Sequence, residues 1–302
     1  MNKTKAWFQA ARLRTLPLSI SGIIVGTAVA AHHGKFNPLI FLGAIITTIG
    51  LQVLSNFAND YGDGVKGTDN EDRIGPARAL QTGAITPKAM KQGIIITTII
   101  TFLAALVLIY TAFKDTNFGY TLLFIGLGIA SIAAAIKYTV GKSAYGYRGM
   151  GDIFVFLFFG LLSVMGSYFL YTKSLFMPLW FPAISIGLLS TGVLNLNNMR
   201  DRESDKKAGK NTIVVSMGAI KAKKYHKALL VIAMICMLIY TVLTEPKMSH
   251  WIYVACFAPI IKHMRFVDEN KEPVLLDPEL KKLALTTFSL SLLFSLGLLI
   301  WN

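Results

Sequence analysis

The chain has 302 residues, 54% of them hydrophobic and only 15% charged, with a mean hydropathy of +0.54. A soluble domain carries about 25% charged residues, so this composition excludes an ordinary soluble enzyme or binding module. The formal net charge of +14 would suit a nucleic-acid binder, but its placement along the chain argues otherwise.

Nine continuous apolar runs follow one another at 16–32, 38–58, 93–112, 119–136, 151–171, 176–196, 228–243, 249–261 and 283–301. Most approach the roughly 20 residues needed to cross a bilayer core, and the eighth is short. Backbone groups in lipid must satisfy one another, and unbroken apolar runs do this as helices. A β-barrel would instead show alternating segments of about ten residues. The expectation is an all-α polytopic membrane protein of about nine transmembrane helices. No small-residue cleavage site follows the basic stretch 1–15, so no cleavable signal peptide is expected.

Lys and Arg test this topology independently. The N-terminus and every second connection (59–92, 137–150, 197–227 and 262–282) hold 26 of the 30 Lys and Arg. By the positive-inside rule these segments are cytoplasmic, the N-terminus among them, and the C-terminus is outside. The positive charge therefore calls for no nucleic acid. It suits the cytoplasmic face of a bacterial inner membrane and an anionic ligand there. Cys236 and Cys256 lie in apolar runs without metal-like spacing, and the five His form no ligand cluster. No Pro- or Ser-rich linker divides the chain, so 1–302 reads as one domain.

The acidic residues carry the functional signal. Asp60, Asp63, Asp69, Glu71 and Asp72 follow the second run, and Asp201, Glu203 and Asp205 follow the sixth. Together these are half of the sixteen acids. In NFANDYGDGVKGTDN, Asn56 and Asp60 are four apart and Asp63 three further on, which is one face of a continuing helix. In NLNNMRDRESD, Asn197, Asp201 and Asp205 are spaced by four. The Asn-x-x-x-Asp device thus occurs twice, which suggests two related halves, roughly 1–150 and 151–302. Carboxylates stacked on one face repel, and a cation removes that cost. Oxygen ligands without His or Cys suit Mg²⁺ completed by substrate phosphates. The plainer reading is solvated loops paired with Arg200, Arg202, Lys206 and Lys207, and two matched clusters weigh against it. Arg73 and Arg78 in DRIGPARALQTG, with Lys142 and Arg148 in KYTVGKSAYGYRGMGD, are candidates to complete an anion site.

These motifs resemble the UbiA superfamily of intramembrane prenyltransferases. Within it, NFANDYGDGVKGTDN, DRIGPARAL, YGYRGMGDIFVFLFFG and NLNNMRDRESDKKAGKNT resemble the 1,4-dihydroxy-2-naphthoate polyprenyltransferases of menaquinone synthesis. The resemblance runs from LRTLPLS near residue 13 to about residue 220. It implies nine helices around a central cavity open to lipid, and Mg²⁺ held by both Asp motifs to bind a polyprenyl diphosphate. Metal ligands would be Asn56, Asp60 and Asp63, then Asn197, Asp201 and Asp205. The superfamily pattern places an acid four residues after Asp60, where this chain has Gly64, so Asp63 or Asp69 completes the first motif. Tyr138 and Lys142 resemble residues that line the pocket and steady the diphosphate.

The implied reaction transfers the polyprenyl group to the naphthoate ring with loss of CO₂ and diphosphate, giving demethylmenaquinol. Asp60, Asp201, Asp205, Lys142 and Arg148 are its expected catalytic set. Asn56, Arg73, Arg78, Tyr138, Lys142, Arg148, Asp152 and Asn197 are expected to contact substrate, with Arg148 on the acceptor carboxylate and Asp152 orienting Arg148 or a ring hydroxyl. Tyr138, Tyr145 and Tyr147 are candidates to stabilise an allylic cation, with an interfacial aromatic belt as the alternative, favoured for Tyr145. A related prenyltransferase with another aromatic acceptor is the first rival. A cation-coupled transporter is the second, but its acids belong at mid-membrane rather than at helix ends.

Overall fold

The computed structural model describes residues 3–68, 74–75, 78–141, 143–244 and 247–300. Regular structure among them is entirely helical. The long helices are α2 (Leu16–His32), α3 (Pro38–Val65), α4 (Pro87–Phe113), α5 (Phe118–Lys137), α8 (Trp180–Arg200), α10 (Ile213–Leu243) and α12 (Leu276–Leu299). Between α5 and α8 lies one stretch with three parts, namely α6 (Gly151–Val155), a π-helix (Phe156–Gly166) and α7 (Ser167–Thr172). Three shorter helices are α1 (Lys3–Ala11), α9 (Arg202–Lys207) and α11 (Phe257–Glu269).

Among the described residues, eight helical stretches are long and apolar enough to cross a membrane. The protein is a multi-pass membrane protein. The expected run at 249–261 is not among the eight. A 3₁₀ turn, Met248–Cys256, leads there into α11. That helix turns polar at Lys262, Arg265, Asp268 and Glu269, which shortens its continuous apolar part.

Helix starts follow from sequence. Asn37 caps α3 by accepting from Leu39 N at 2.9 Å, with Pro38 in the first turn. Thr86 and Thr212 cap α4 and α10 in the same manner. Packing in the apolar interior depends on small residues. An added Cβ at Gly22 would stand 2.3 Å from Ser163 Oγ, and one at Gly26 2.2 Å from the Val164 carbonyl. Such close backbone approach is how helices associate where no hydrophobic effect drives them. The first long helix closes on the last, since α2 packs along α12 as well as α3 and the π-helix. The α8 helix packs against α10, α12 and the π-helix.

Two departures from the expected helix limits bear on the site. The α3 helix continues past 58 to Val65 and carries Asp60 and Asp63 on its last turns. Thr139 reinforces that extension by donating to the Ala58 carbonyl at 2.9 Å, with Gly62 leaving room for its side chain. The α8 helix likewise runs to Arg200. Hydrogen bonds from Asp201 N to Asn197 O and from Asp205 N to Asp201 O, at 3.0 and 2.8 Å, carry the helical spacing on into α9.

Candidate active site

The first motif lies on one buried face of α3. Asn56, Asp60 and Asp63 are each 3% exposed or less, and the helix runs on past Asp63 to Val65. Asn56 donates to the Ala11 carbonyl at 2.9 Å, which ties the motif to the end of α1. Asp60 faces Arg12 at 3.3 Å and Arg78 at 3.6 Å. Arg78 also reaches Asp63 Oδ2 at 2.7 Å and the Asn59 carbonyl at 3.1 Å. Tyr147 donates to the other Asp63 oxygen at 2.8 Å and shares a 2.5 Å contact with Thr68. Arg12 holds a left-handed φ of 49° where the chain turns from α1 towards α2.

The second motif sits at the junction of α8 and α9. Arg200, buried beside it, donates from Nε and Nη2 to the two oxygens of Asp201 at 2.8 and 2.6 Å, and from Nη2 to Asn197 Oδ1 at 2.9 Å. Asp205 is buried, with Lys210 Nζ 3.4 Å from its Oδ1. A sharp reversal at Gly209, φ 70°, allows this, and Lys210 N donates to the Asp205 carbonyl at 2.8 Å. A side chain at 209 would be strained in that conformation.

Lys210 couples the two motifs. Burial works against its charge, but Asp63 and Asp205 together raise its pKa above the ordinary lysine value. Burial lifts the Asp205 carboxyl to about 6, with Lys210 opposing the rise, and Asp201 and Asp63 adding to it. Burial and then Asp63 push the Tyr147 phenol up, so it stays a hydrogen-bond donor. Tyr147 is fixed from behind by Asn211 N, which donates to its carbonyl at 3.1 Å.

Other expected residues are placed as follows. Tyr138 packs against Gly146 and Gly151 and meets the Tyr145 ring at a centroid distance of 5.3 Å, and Tyr145 in turn stacks on Phe154 at 3.9 Å. Tyr145 also donates to the Ala134 carbonyl at 2.9 Å. Asp152 is buried but accepts from Tyr225 at 3.0 Å, and among the described residues no hydrogen bond or ion pair joins it to Arg148. Arg148 is exposed. It borders a surface depression of about 550 Å³ with Asn211, Met217 and Lys221. Arg73, Lys142 and Asp69 lie outside the described residues.

The sequence alone singled out neither Arg12 nor Lys210. Both belong to basic segments whose count signals topology, and nothing in that count marks two members as facing acids. Gly209 was the one available signal, since a glycine after a short helix announces a chain reversal.

An ion fits this donor set. Asp60 Oδ2 and Asp205 Oδ2, one oxygen in each motif, are buried without a hydrogen-bond partner. Such orphaned acceptors are costly unless a cation or water meets them. Among the described residues no three His, Cys, Asp or Glu converge on a single point. Each motif therefore offers an ion few protein ligands and leaves the rest to water or substrate oxygens, which is how Mg²⁺ is commonly held.

The chain matches the UbiA prenyltransferase family over residues 19–273. It is 46% identical over 300 residues to a Haemophilus influenzae 1,4-dihydroxy-2-naphthoate octaprenyltransferase, covering 99% of this chain and 97% of that one. The Escherichia coli protein of the same description is 44% identical, covering 99% and 96%. A solved structure of a UbiA homolog from Archaeoglobus fulgidus, bound to DMAPP and Mg²⁺, superposes with a TM-score of 0.60 at 15% identity, over 96% of this chain and 99% of that one. At 15% identity that likeness speaks for the fold, and the matched family and close relatives carry the assignment. This chain belongs to the UbiA prenyltransferase family.

Proposed function

We propose that this chain transfers a polyprenyl group from polyprenyl diphosphate to 1,4-dihydroxy-2-naphthoate, with loss of CO₂ and diphosphate, giving demethylmenaquinol for menaquinone synthesis. The names of its 46% and 44% identical relatives support the reaction. The site observation that carries it is the facing pair of Asp motifs, each with an orphaned carboxylate oxygen, joined by the buried Lys210. Acids at the ends of α3 and α8, flanked by Arg and Lys, suit an anionic substrate better than a transported cation.

In this reading Asn56, Asp60 and Asp63 hold one Mg²⁺, and Asn197, Asp201 and Asp205 another. Bound there, Mg²⁺ supplies positive charge to the diphosphate oxygens as the allylic C–O bond breaks. Arg78 and Lys210 bind the diphosphate and stabilise its growing charge. Arg73 and Lys142 are proposed to join them. The ring cluster of Tyr138, Tyr145 and Phe154 offers π-faces to the allylic group and excludes water from it. Arg148, with Asp152, remains a proposed contact for the acceptor. From its surface depression Arg148 would meet the acceptor carboxylate as it arrives. The polyprenyl tail stays in lipid, since each CH₂ withdrawn into water costs about 0.8 kcal/mol. The chain acts as one domain of two related halves in the bacterial inner membrane, with its N-terminus and active site towards the cytoplasm, as the Lys and Arg distribution suggests.

The test uses purified protein in detergent with the naphthoate, octaprenyl diphosphate and Mg²⁺. Mg²⁺-dependent release of both CO₂ and diphosphate is expected. Asp60→Ala and Asp201→Ala should each lower kcat/KM by about 100-fold or more, the scale of lost charge stabilisation. Turnover with 4-hydroxybenzoate but not the naphthoate would overturn the acceptor. No diphosphate release with any aromatic acceptor would overturn the reaction.

A further inference from the structure

Arg200 is only 2% exposed and its guanidinium has two sides in use. Nε and Nη2 bind Asp201 and Asn197 of the second motif. Nη1 donates to Asp277 Oδ1, a carboxylate from the first turn of α12, 77 positions away in sequence. That turn is itself anchored. Glu279, two residues on, accepts from Lys282 and meets His263 Nδ1 at 2.5 Å. The other ring nitrogen of His263 faces His226 Nε2 of α10 at 3.0 Å. One turn of α12 thus grips α10 and α11 through Glu279, and the second motif through Asp277.

We propose that Asp277 is a positioning residue for the second motif, acting through Arg200. This rests on the reading above, in which Asp201 and Asn197 hold a divalent cation. A guanidinium with one carboxylate partner pairs fully with it and competes with any metal for the same oxygens. Asp277 gives Arg200 a second carboxylate. It divides the guanidinium's charge between two acids and fixes its plane, so that Asp201 keeps its orientation while sharing electron density with a cation. Removing Asp277 leaves Asp201 as the only carboxylate of Arg200 and frees Nη1 in a buried setting. Groups that orient metal ligands from behind typically change metal affinity by about 10–100-fold when lost.

The experiment titrates the full-length protein in detergent with Mn²⁺ alone and reads free Mn²⁺ by electron paramagnetic resonance. KM and kcat with the naphthoate and octaprenyl diphosphate are measured in parallel. Asp277→Asn is expected to weaken Mn²⁺ binding by about tenfold and to raise the diphosphate KM more than it lowers kcat. Asp277→Glu, which keeps the charge, should bind Mn²⁺ within about twofold of the native protein. Glu279→Gln, which breaks the neighbouring grip without touching Arg200, should leave Mn²⁺ binding unchanged. The proposal is overturned if Asp277→Asn binds Mn²⁺ normally. It is equally overturned if Glu279→Gln is weakened as much, which would mark a merely structural turn, or if Asp277→Glu is as weak as Asp277→Asn. If the native protein binds no Mn²⁺, the metal reading of the motif falls, and this proposal with it.

Discussion

Lys210 Nζ stands 3.4 Å from Asp205 Oδ1 and 5.8 Å from the centre of the Tyr147 ring. One buried cation is thereby set against an acid from the second motif and beside the tyrosine that binds the first. Lys210→Met keeps the stem and removes the charge. It removes the ion partner seen at Asp205 and, in the proposed reading, a charge-assisted contact to the diphosphate. Such contacts are worth about 1.5–3 kcal/mol, so KM for the diphosphate should rise by about 10–100-fold, as steady-state kinetics would show. An unchanged KM would remove Lys210 from the binding site.

Asp205 also sets a pH dependence. Its carboxyl titrates at about 6 in the folded protein against an ordinary value of 3.8, because burial disfavours its charge. A raised acid favours the folded state at low pH, and this contribution is lost as pH rises through about 6. Without divalent metal, Asp205→Asn should therefore raise the melting temperature at pH 8 and have little effect at pH 3.5. Activity should follow the opposite course, because only the ionised carboxylate binds a cation. Native kcat/KM should fall as pH drops through about 6, and excess Mg²⁺ should move that fall to lower pH. A melting temperature equally altered by Asp205→Asn at both pH values would contradict the assignment.

Tyr147 spans the two motifs differently, donating to Asp63 from a loop that Asn211 pins in place. Tyr147→Phe removes one hydroxyl and leaves Arg78 as the remaining hydrogen-bond donor to Asp63. The loss of a hydrogen bond to a charged group costs about 1.5–3 kcal/mol. The expected result is a diphosphate KM raised about tenfold or more, with folding retained because the ring still fills its place. A variant with native kinetics would assign the hydroxyl to loop structure alone.

Much of this site was legible in spacing. The 4-and-3 interval of Asn56, Asp60 and Asp63, and the 4-and-4 interval of Asn197, Asp201 and Asp205, each predict one helical face, and all of these are buried except Asn197, which is half-buried. Helix propensity does not say where α3 stops, so spacing alone leaves Asp63 ambiguous, whereas Thr139 and Gly62 hold the extension in the structure. Partners from distant segments were not legible. Arg12, Lys210 and Asp277 look like any other charge on a cytoplasmic face, and only tertiary packing separates them. Arg148 shows the converse. Its neighbour Tyr147 faces the acids, and the short 3₁₀ turn Tyr145–Arg148 points successive side chains in different directions. The π-helix was equally hidden, since its residues are apolar apart from Ser163 and carry no distinguishing period.

That π-helix yields the last prediction. A Cβ added at Gly160 would stand 2.6 Å from both Gly187 Cα and the Ala183 carbonyl oxygen, all backbone of α8. Backbone cannot rotate aside, so α8 itself would have to move. Forcing a methyl group into a packed interior costs about 1–3 kcal/mol. Because α8 carries Asn197 and leads into Asp201, the displacement should reach the second motif as well. Gly160→Ala is expected to lower the melting temperature in detergent and to weaken Mn²⁺ binding, with Gly160→Val worse on both counts. Gly126 on α5 has open space around its Cβ position, so Gly126→Ala should be neutral or slightly stabilising through helix propensity. Loss of stability in Gly160→Ala with native Mn²⁺ binding would mean that α8 yields locally, and that the second motif is held from the α12 side alone.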